Sequence, residues 1–197
     1  MVRDSKIAVT VSPYACIYAA SMLLLIPFQW CAAWLFTAAC HEFFHCLVLW
    51  LFRKPIERIS VDIRGAQIQT TDLSPVETVL CALAGPLGGV LMILLCRTLP
   101  KIVICAFFQT VFNLLPIYPL DGGRALEGVM RMFLPERWIR PAADLIEGIL
   151  LAALVTVGFL SVFVWKLGII PLLVAVLLVI QRKNRKIPCK WGALKVQ

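Results

Sequence analysis

Long apolar runs occupy most of this chain of 197 residues, and they constrain its fold more than any other feature. Hydrophobic residues make up 61% of the sequence, charged residues make up only 15%, and the mean hydropathy is +0.89. A soluble domain of this length exposes too much surface to water to contain so few polar residues. The surplus of apolar residues therefore predicts helices that face lipid.

The chain has six apolar runs, and all but the short sixth run approach the length of about 20 residues that a helix needs to cross a bilayer. They cover residues 9–28, 30–52, 78–96, 102–120, 145–165 and 167–181. We therefore predict an all-α polytopic membrane protein with about six transmembrane helices. Residues 1–181 form its intramembrane domain and residues 182–197 form a basic cytoplasmic tail. The expected partner is the lipid bilayer, and no nucleic acid is expected.

The distribution of lysine and arginine predicts how these helices are oriented. With a cytoplasmic N-terminus, all but three of the 19 basic residues fall in cytoplasmic segments, and the exceptions are Arg97, Lys101 and Lys166. The positive-inside rule expects this asymmetry, so both termini are predicted to be cytoplasmic. The net charge of +8 is therefore explained by membrane topology rather than by a nucleic-acid-binding surface.

Two of the predicted cytoplasmic segments have an internal pattern. Between residues 58 and 70, apolar residues such as Ile59 and Val61 alternate with polar ones around a break at Gly65, which predicts a small β-hairpin. Beyond Gly123, apolar residues recur at helical spacing with charged residues opposite them, which predicts an amphipathic helix. That helix can lie at the membrane surface or cap the bundle by ordinary packing, and the sequence leaves both open.

Both histidines of the chain belong to one motif in the second apolar run, His41-Glu42-Phe43-Phe44-His45. On a helix, residues four apart share a face and lie about 6 Å apart, so both imidazoles can bind one metal ion. Glu42 lies beside them, where it can accept a proton from water. An ionisable group in mid-membrane costs about 2.5–3.5 kcal/mol on insertion scales and usually marks a functional site. The motif therefore predicts a metal site.

A catalytic zinc ion has three protein ligands and one open position, so in the absence of a third histidine the remaining ligand is a carboxylate or a thiolate. Besides Glu42, the acidic residue associated with an apolar run is Asp121. Prolines before it and glycines after it interrupt the helix, and such backbone is tolerated at membrane depth where protein lines a cavity. We predict that Asp121 turns inward to the metal, and an Asp-Gly turn at a helix end is the alternative.

The eight cysteines, none in a CxxC pair, are expected to be buried side chains rather than ligands or disulfides.

These motifs resemble those of the site-2 protease family of intramembrane metalloproteases. The resemblance rests on the histidine motif, on Ala84-Gly85-Pro86 and on residues 113–123, and it spans roughly residues 10–180. The sequence looks most similar to the compact sporulation-type branch, which includes the enzyme that cleaves a membrane-tethered pro-sigma factor. Members of that branch often carry a C-terminal CBS domain, and we expect none here because about 17 residues follow Ile180.

The resemblance implies that His41, His45 and Asp121 bind one zinc ion per chain and that Glu42 activates water. It implies a zinc metalloendopeptidase acting in regulated intramembrane proteolysis. The implied substrate is a single-span membrane protein, such as a pro-sigma or anti-sigma factor, cut near the cytoplasmic face of a bacterial cell membrane. By the same resemblance, the edge of the hairpin would hold the unwound substrate by strand addition.

Other polar and small residues have two interpretations. Asn113 precedes Asp121 by eight residues, about two turns of a regular helix, so it can bind the substrate backbone or polarise the scissile carbonyl. A buried asparagine that bonds a neighbouring helix is an equal alternative. Gly85, Gly88 and Gly89 are expected to allow close approach between helices.

Two other functions use the same residues. A membrane metal transporter or metal sensor could bind an ion through the same ligands, but few polar residues follow Asp121 to line a path. A catalytically inactive relative could act as a membrane scaffold, but an intact Glu42 beside the three ligands argues against it. The protease interpretation is therefore favoured over both.

Overall fold

The computed structural model describes residues 8–62, 65–70, 73–163 and 170–183, which form seven helices and three short strands. In chain order the elements are β1 (Ala8–Val11), α1 (Pro13–Leu25), α2 (Phe28–Leu51), β2 (Ile56–Asp62), β3 (Gly65–Thr70), α3 (Pro75–Leu95), α4 (Pro100–Asn113), α5 (Asp121–Phe133), α6 (Glu136–Phe163) and α7 (Ile170–Lys183). Residues 114–120 join α4 to α5 and are called the α4–α5 linker below.

Three helices of the described residues are long and apolar enough to cross a membrane, namely α2, α3 and α6. α1 has 13 residues, and α4 and α7 have 14 each. A helix of 14 residues is about 21 Å long, which is less than the roughly 30 Å of a hydrocarbon core. The prediction of a helical membrane protein is confirmed. The structure supports three spans by length and composition, whereas the sequence predicts six.

The first apolar run departs most from its prediction. Ala8–Val11 form strand β1, and helix α1 begins only at Pro13, so the helix covers less than the predicted 9–28. Proline suits the first turn of a helix because a backbone N–H at that position would have no acceptor within the helix, so proline loses no hydrogen bond there. The helix ends before Pro27, whose ring favours the extended backbone seen at Ile26 (φ −118°, ψ 135°). A continuous apolar run therefore contains a strand, a helix and two proline boundaries.

The predicted hairpin is present and belongs to a three-stranded sheet. β2 and β3 pair antiparallel, with Ile59 opposite Ile68, and β1 pairs in parallel with β2 on its other side. The strand order is β1–β2–β3. Ile63 and Arg64, at the predicted turn, lie outside the described residues. The sheet follows α2 directly, so it lies at the C-terminal end of that helix.

The connection between this sheet and the helices is held by polar contacts. Arg53 adopts a left-handed backbone conformation (φ 55°) just after α2. Lys54 Nζ lies 3.0 Å from a carboxylate oxygen of Glu77, in the first turn of α3. Ser74 and Glu77 form a reciprocal capping box at the start of α3, which satisfies free N–H groups there. These contacts bring the end of α2 beside the beginning of α3.

Helix α3 is the centre of the packing, because it contacts α2, α4 and α5. Its buried residues are all small, namely Ala82, Ala84, Gly85, Pro86, Gly88 and Gly89. Small residues let helix backbones approach closely in a membrane. A side chain at Gly88 would collide with the ring of Phe44 in α2, and one at Gly89 would collide with Thr110 in α4. Both glycines therefore allow the close approach that the sequence predicts.

The predicted amphipathic helix is α5, which packs on α3 through its buried face. Gly128 lies against Val79 and the carbonyl of Pro75 in α3. On its other side Val129 and Phe133 are exposed. α5 therefore packs as part of the bundle while also presenting apolar side chains outward, so it combines features of both predicted alternatives.

α6 and α7 pack mainly on each other. α6 begins at Glu136, nine residues before the predicted start of its apolar run. The predicted start of the sixth run falls in residues 164–169, which lie outside the described residues. Buried Ile117 of the α4–α5 linker packs with Leu151 of α6 and Leu178 of α7. The linker is therefore a main contact between the α6–α7 pair and the other helices.

Candidate metal centre

One face of α2 carries both histidines. Buried residues recur on it at intervals of four, at Ala33, Thr37, His41, His45 and Leu49. Residues at i and i+4 lie on the same side of a helix, so this face is the one turned inward. The rings of His41 and His45 meet edge to face, with centroids 4.8 Å apart. Both imidazoles are therefore buried beside each other.

Asp121 joins these histidines from a position 80 residues after His41 in the chain. Its Oδ2 atom lies 2.9 Å from Nε2 of His41 and 3.2 Å from Nε2 of His45. The two Nε2 atoms lie 3.2 Å apart. All three side chains are buried, with Asp121 7% exposed. The structure thus brings together the three residues that the sequence analysis selects as ligands.

The α4–α5 linker and the glycines after Asp121 determine where that carboxylate lies. Helix α4 stops at Asn113, and Leu120 donates its N–H to the carbonyl of Ile117 at 2.9 Å, which folds the linker back on itself. A side chain at Gly122 or Gly123 would collide with linker backbone. The first turn of α5 can therefore pack directly on the linker, with its first residue turned toward α2.

The spacing of the three ligand atoms fits a tetrahedral zinc ion. Zinc binds histidine nitrogen and carboxylate oxygen at about 2.0–2.2 Å, so two of its tetrahedral ligands lie about 3.3–3.6 Å apart. The three observed separations, 2.9, 3.2 and 3.2 Å, are close to that edge length. Two nitrogens and one carboxylate oxygen are also a donor set that zinc accepts in catalytic sites. The residues present therefore fit the metal that the sequence predicts.

His45 is oriented by a hydrogen bond from its other ring nitrogen. Its Nδ1 lies 2.7 Å from the carbonyl oxygen of Cys81 in α3, a distance at which Nδ1–H donates to that oxygen. A neutral imidazole with its proton on Nδ1 has its lone pair on Nε2, which faces His41 and Asp121. Such an outer contact fixes the tautomer of metal-binding histidines. His41 Nδ1 is buried and has no hydrogen-bond partner among the described residues.

Gly85 of α3 lies directly against the three ligand atoms. A Cβ atom at this position would collide with Nε2 of both His41 and His45. The space beside those nitrogens therefore exists because residue 85 has no side chain. The sequence predicts a helix-packing role for Gly85, and in the structure Gly85 also borders the candidate metal site.

Glu42 follows His41 on α2 and is partly buried. Its carboxyl group interacts electrostatically with His41, His45 and Asp121. It also interacts electrostatically with Arg124 of α5. An acid next to the ligand set and partly accessible is suited to proton transfer. The structure therefore places the predicted base beside the predicted ligands.

Asn113 is the last residue of α4 and is partly buried. The helix ends there, so the regular helix on which the sequence analysis relates Asn113 to Asp121 is not present. The seven residues between them form the nonhelical linker rather than two helical turns. The predicted role of Asn113 in substrate binding therefore loses that geometric argument.

Two contacts near the site are not predicted from the sequence. The carbonyl of Cys81 binds His45, and a backbone acceptor of this kind has no signal in a sequence. Glu147 of α6 is 2% exposed and accepts a hydrogen bond from the N–H of Tyr118 in the linker at 3.0 Å. A carboxylate inside an apolar membrane-length helix indicates function, but the predicted fifth run begins at residue 145 and places Glu147 at its end.

Comparison with known proteins supports the fold. No protein-family model matches the sequence, and no curated protein matches it. Among solved structures, the chain is similar to the Site-2 Protease from Methanocaldococcus jannaschii, with a TM-score of 0.66 and 18% sequence identity. The match covers 92% of this chain and 93% of that chain. The chain therefore has the fold of a site-2 protease over nearly its whole length.

Proposed function

We propose that this chain is an intramembrane zinc metalloprotease that hydrolyses peptide bonds of membrane-tethered substrates. The observation that carries the proposal is the convergence of three buried ligand atoms, all within 4.8 Å of one another, from His41, His45 and Asp121. A metal site alone would also suit transport. Glu42 beside the ligands, in a fold similar to that of a site-2 protease, favours hydrolysis.

The mechanism assigns a role to each of these side chains. His41 and His45 would hold one zinc ion through Nε2, and Asp121 would hold it through Oδ2. When bound, zinc supplies a Lewis acid that polarises the scissile carbonyl and lowers the pKa of water to about 7. Glu42 takes a proton from the attacking water as the water oxygen bonds to the carbonyl carbon. It then delivers the proton to the amine nitrogen as the C–N bond breaks.

The depth of the site suits cleavage near one membrane face. His45 lies six residues before the end of α2 at Leu51, which is about 9 Å along the helix axis. The sheet follows that end of α2. By the positive-inside rule this end is cytoplasmic, so we place both the site and the sheet on the cytoplasmic side. Water and an unwound substrate would reach the zinc from there.

The sheet offers an edge for that substrate. β3 pairs with β2 on one side, and no other described strand pairs with it. A substrate helix has to be unwound before its peptide bond can be cut, and strand addition would hold it extended. Asn113 is a candidate to hold the substrate backbone, a role now supported by its chemistry alone.

α1, α4 and α7 are shorter than a full span, and we propose that they complete six crossings with help from flanking residues and tilting of neighbours. Both termini would then be cytoplasmic, in a bacterial cell membrane. The proposed substrate is a single-span protein such as a pro-sigma or anti-sigma factor, as in the sporulation-type branch.

The test measures zinc content and cleavage together, in detergent and in liposomes, with a panel of single-span membrane proteins. We expect about one zinc ion per chain in both the wild type and Glu42→Gln. Loss of a general acid–base typically lowers the rate by about 10²–10⁴-fold, so Glu42→Gln should lose cleavage by that factor. The matched control is Glu136→Gln, which changes an exposed carboxylate at the start of α6 and should cut like the wild type.

Two outcomes would contradict the proposal. Absence of zinc from the purified wild type would remove the metal site, and equal cleavage by Glu42→Gln would remove the proposed base. If zinc is bound but no substrate is cut by either protein, metal flux into liposomes would be measured, and flux would favour a transporter.

A further inference from the structure

Glu147 is a buried carboxylate that the proposed mechanism does not use. It lies in α6, a helix apolar enough to cross a membrane, and it is 2% exposed. Ionisable residues inside membrane helices are costly and face the protein interior where they have a partner. One partner of Glu147 is the backbone N–H of Tyr118, which donates to Oε1 at 3.0 Å. A single carboxylate of α6 thus binds the backbone of the α4–α5 linker.

The linker is held from two directions at this point. Ile117, next to Tyr118, is fully buried between Leu151 of α6 and Leu178 of α7. On the opposite side, Gly122 and Gly123 of α5 lie against the linker backbone without room for a side chain. Apolar packing sets the distance between these parts, whereas the hydrogen bond to Glu147 is directional. The hydrogen bond therefore fixes the orientation of the linker peptide.

Asp121 follows Tyr118 by three residues, so the linker determines where its carboxylate lies. Its Oδ2 is the ligand atom that comes from outside α2, at 2.9 and 3.2 Å from the two Nε2 atoms. Metal sites lose affinity when a ligand is displaced by even part of an ångström. The position of the third ligand therefore depends on whatever holds the linker in place.

We propose that Glu147 is a positioning residue for the metal centre, which holds Asp121 against His41 and His45 through the backbone of Tyr118. This inference rests on the proposed function, because it takes the three residues as zinc ligands. It adds that α6, which supplies no ligand, sets the zinc affinity through one hydrogen bond.

The test compares the zinc dissociation constant of purified full-length variants by competition with a chelator in detergent. Glu147→Gln keeps a carbonyl oxygen in nearly the same place, so it should bind zinc within about threefold of the wild type. Glu147→Leu keeps the bulk but removes the acceptor. Mutation of the outer contacts of metal ligands typically lowers affinity by about 10–100-fold, and we expect a loss in that range.

Two further variants separate positioning from folding. Ser161→Ala removes another buried polar group of α6, whose hydroxyl donates to the carbonyl of Gly158, and it should leave zinc affinity unchanged. Glu147→Asp is one methylene shorter and should weaken zinc binding more than Glu147→Gln does. This pair keeps the inference testable if Glu147→Leu does not fold.

Cobalt(II) in place of zinc provides a readout that general stability does not change. Its visible absorption depends on ligand geometry, so Glu147→Leu and Glu147→Asp should alter the spectrum while Glu147→Gln and Ser161→Ala retain it. Wild-type affinity and spectrum in folded Glu147→Leu or Glu147→Asp would overturn the inference, as would equal losses in Glu147→Gln and Glu147→Leu. A wild type that binds no zinc would instead overturn the proposed function itself.

Discussion

The helices α2 to α5 and the α6–α7 pair pack by different means. In the first region, glycines and alanines of α3 let α2, α4 and α5 come close, and buried polar side chains meet in the space between them. In the second region, Leu151 and Leu178 pack around Ile117 of the α4–α5 linker, and α6 also contacts α5 directly. Among the described residues, the buried polar or charged side chains of the first region are Thr37, His41, His45, Thr110 and Asp121, and those of the second region are Glu147 and Ser161.

The two kinds of packing differ in how much they constrain the spacing between helices. The small-residue packing around α3 is rigid in its spacing, because a methyl group at Gly85, Gly88 or Gly89 would meet atoms of a neighbouring helix. Packing of larger aliphatic side chains adapts more readily to changes of shape. The three proposed ligands therefore come from the region whose spacing is the more tightly constrained. The α6–α7 pair acts on that region from outside, through contacts with the linker.

The largest effect is expected for Gly85→Ala, which tests whether the first region is as tightly spaced as it appears from the packing. The added methyl group would meet Nε2 of both histidines, in the space that the metal requires. We expect zinc affinity to fall by about 100-fold or more, the upper end of the range for disturbed metal sites. Zinc content and the chelator-competition constant measure this.

The matched control is Gly148→Ala in α6, where the nearest atoms to a Cβ belong to the end of the flexible Arg182 side chain, at 3.3 Å. It should retain full zinc content. If Gly85→Ala binds zinc as tightly as this control, the space beside the histidines is larger than the structure indicates and the contrast between the regions fails.

A smaller effect on zinc is expected for Ile117→Ala, which truncates the residue between the two regions. Ile117 is fully buried, and Ile→Ala substitutions in cores cost about 2–5 kcal/mol of unfolding free energy. Because Glu147 still holds the neighbouring peptide, we expect zinc affinity to fall only several-fold. Thermal unfolding in detergent and chelator competition would be measured on the same samples.

The control for that substitution is Leu173→Ala in α7, whose side chain is 52% exposed and faces outward. It should leave both the melting temperature and zinc affinity near their wild-type values. A loss of zinc from Ile117→Ala as severe as that from Gly85→Ala would show that apolar packing, rather than the hydrogen bond, positions the linker.

The smallest effect on zinc is expected for Gly158→Val, which disturbs only the contact between α6 and α7. A Cβ at residue 158 would lie 2.8 Å from Cα of Leu172, so the two helices must separate. We expect a lower melting temperature with zinc affinity within about twofold of the wild type, since the site is bound by other helices. A large loss of zinc affinity would contradict the contrast between the two regions, because it would show that they fold as one unit.

The sequence predicts which residues meet at the candidate site better than it predicts the bounds of the elements. His41 and His45 follow from helical spacing, and Asp121 follows from the broken helix before it, because both patterns express local backbone geometry. Strand β1 is missed because its residues continue an apolar run, and its partner β2 lies some 50 residues away in the chain. Pairing over that distance leaves no local signal.

Glu147 is missed for a different reason. The fifth apolar run of the sequence begins at residue 145, which places this carboxylate at a predicted helix end, where a charge is ordinary. The helix begins at Glu136, so Glu147 lies almost a dozen residues inside it. Pro141 and the charged residues before it mask the true start, because proline inside a helix normally indicates a boundary. Helix extent, and with it the environment of a charge, depends on tertiary packing.

The distance along the chain between the ligands has a consequence for how the protein is made. His41 and His45 leave the ribosome together, whereas Asp121 follows His45 by 76 residues. At about 5–20 residues per second, that interval lasts about 4–15 s of synthesis. A nascent chain that ends at α4 carries two of the three ligands and cannot complete the site. If the three residues bind zinc as proposed, metal capture is a late event in biogenesis, and a chain interrupted before α5 lacks the complete site.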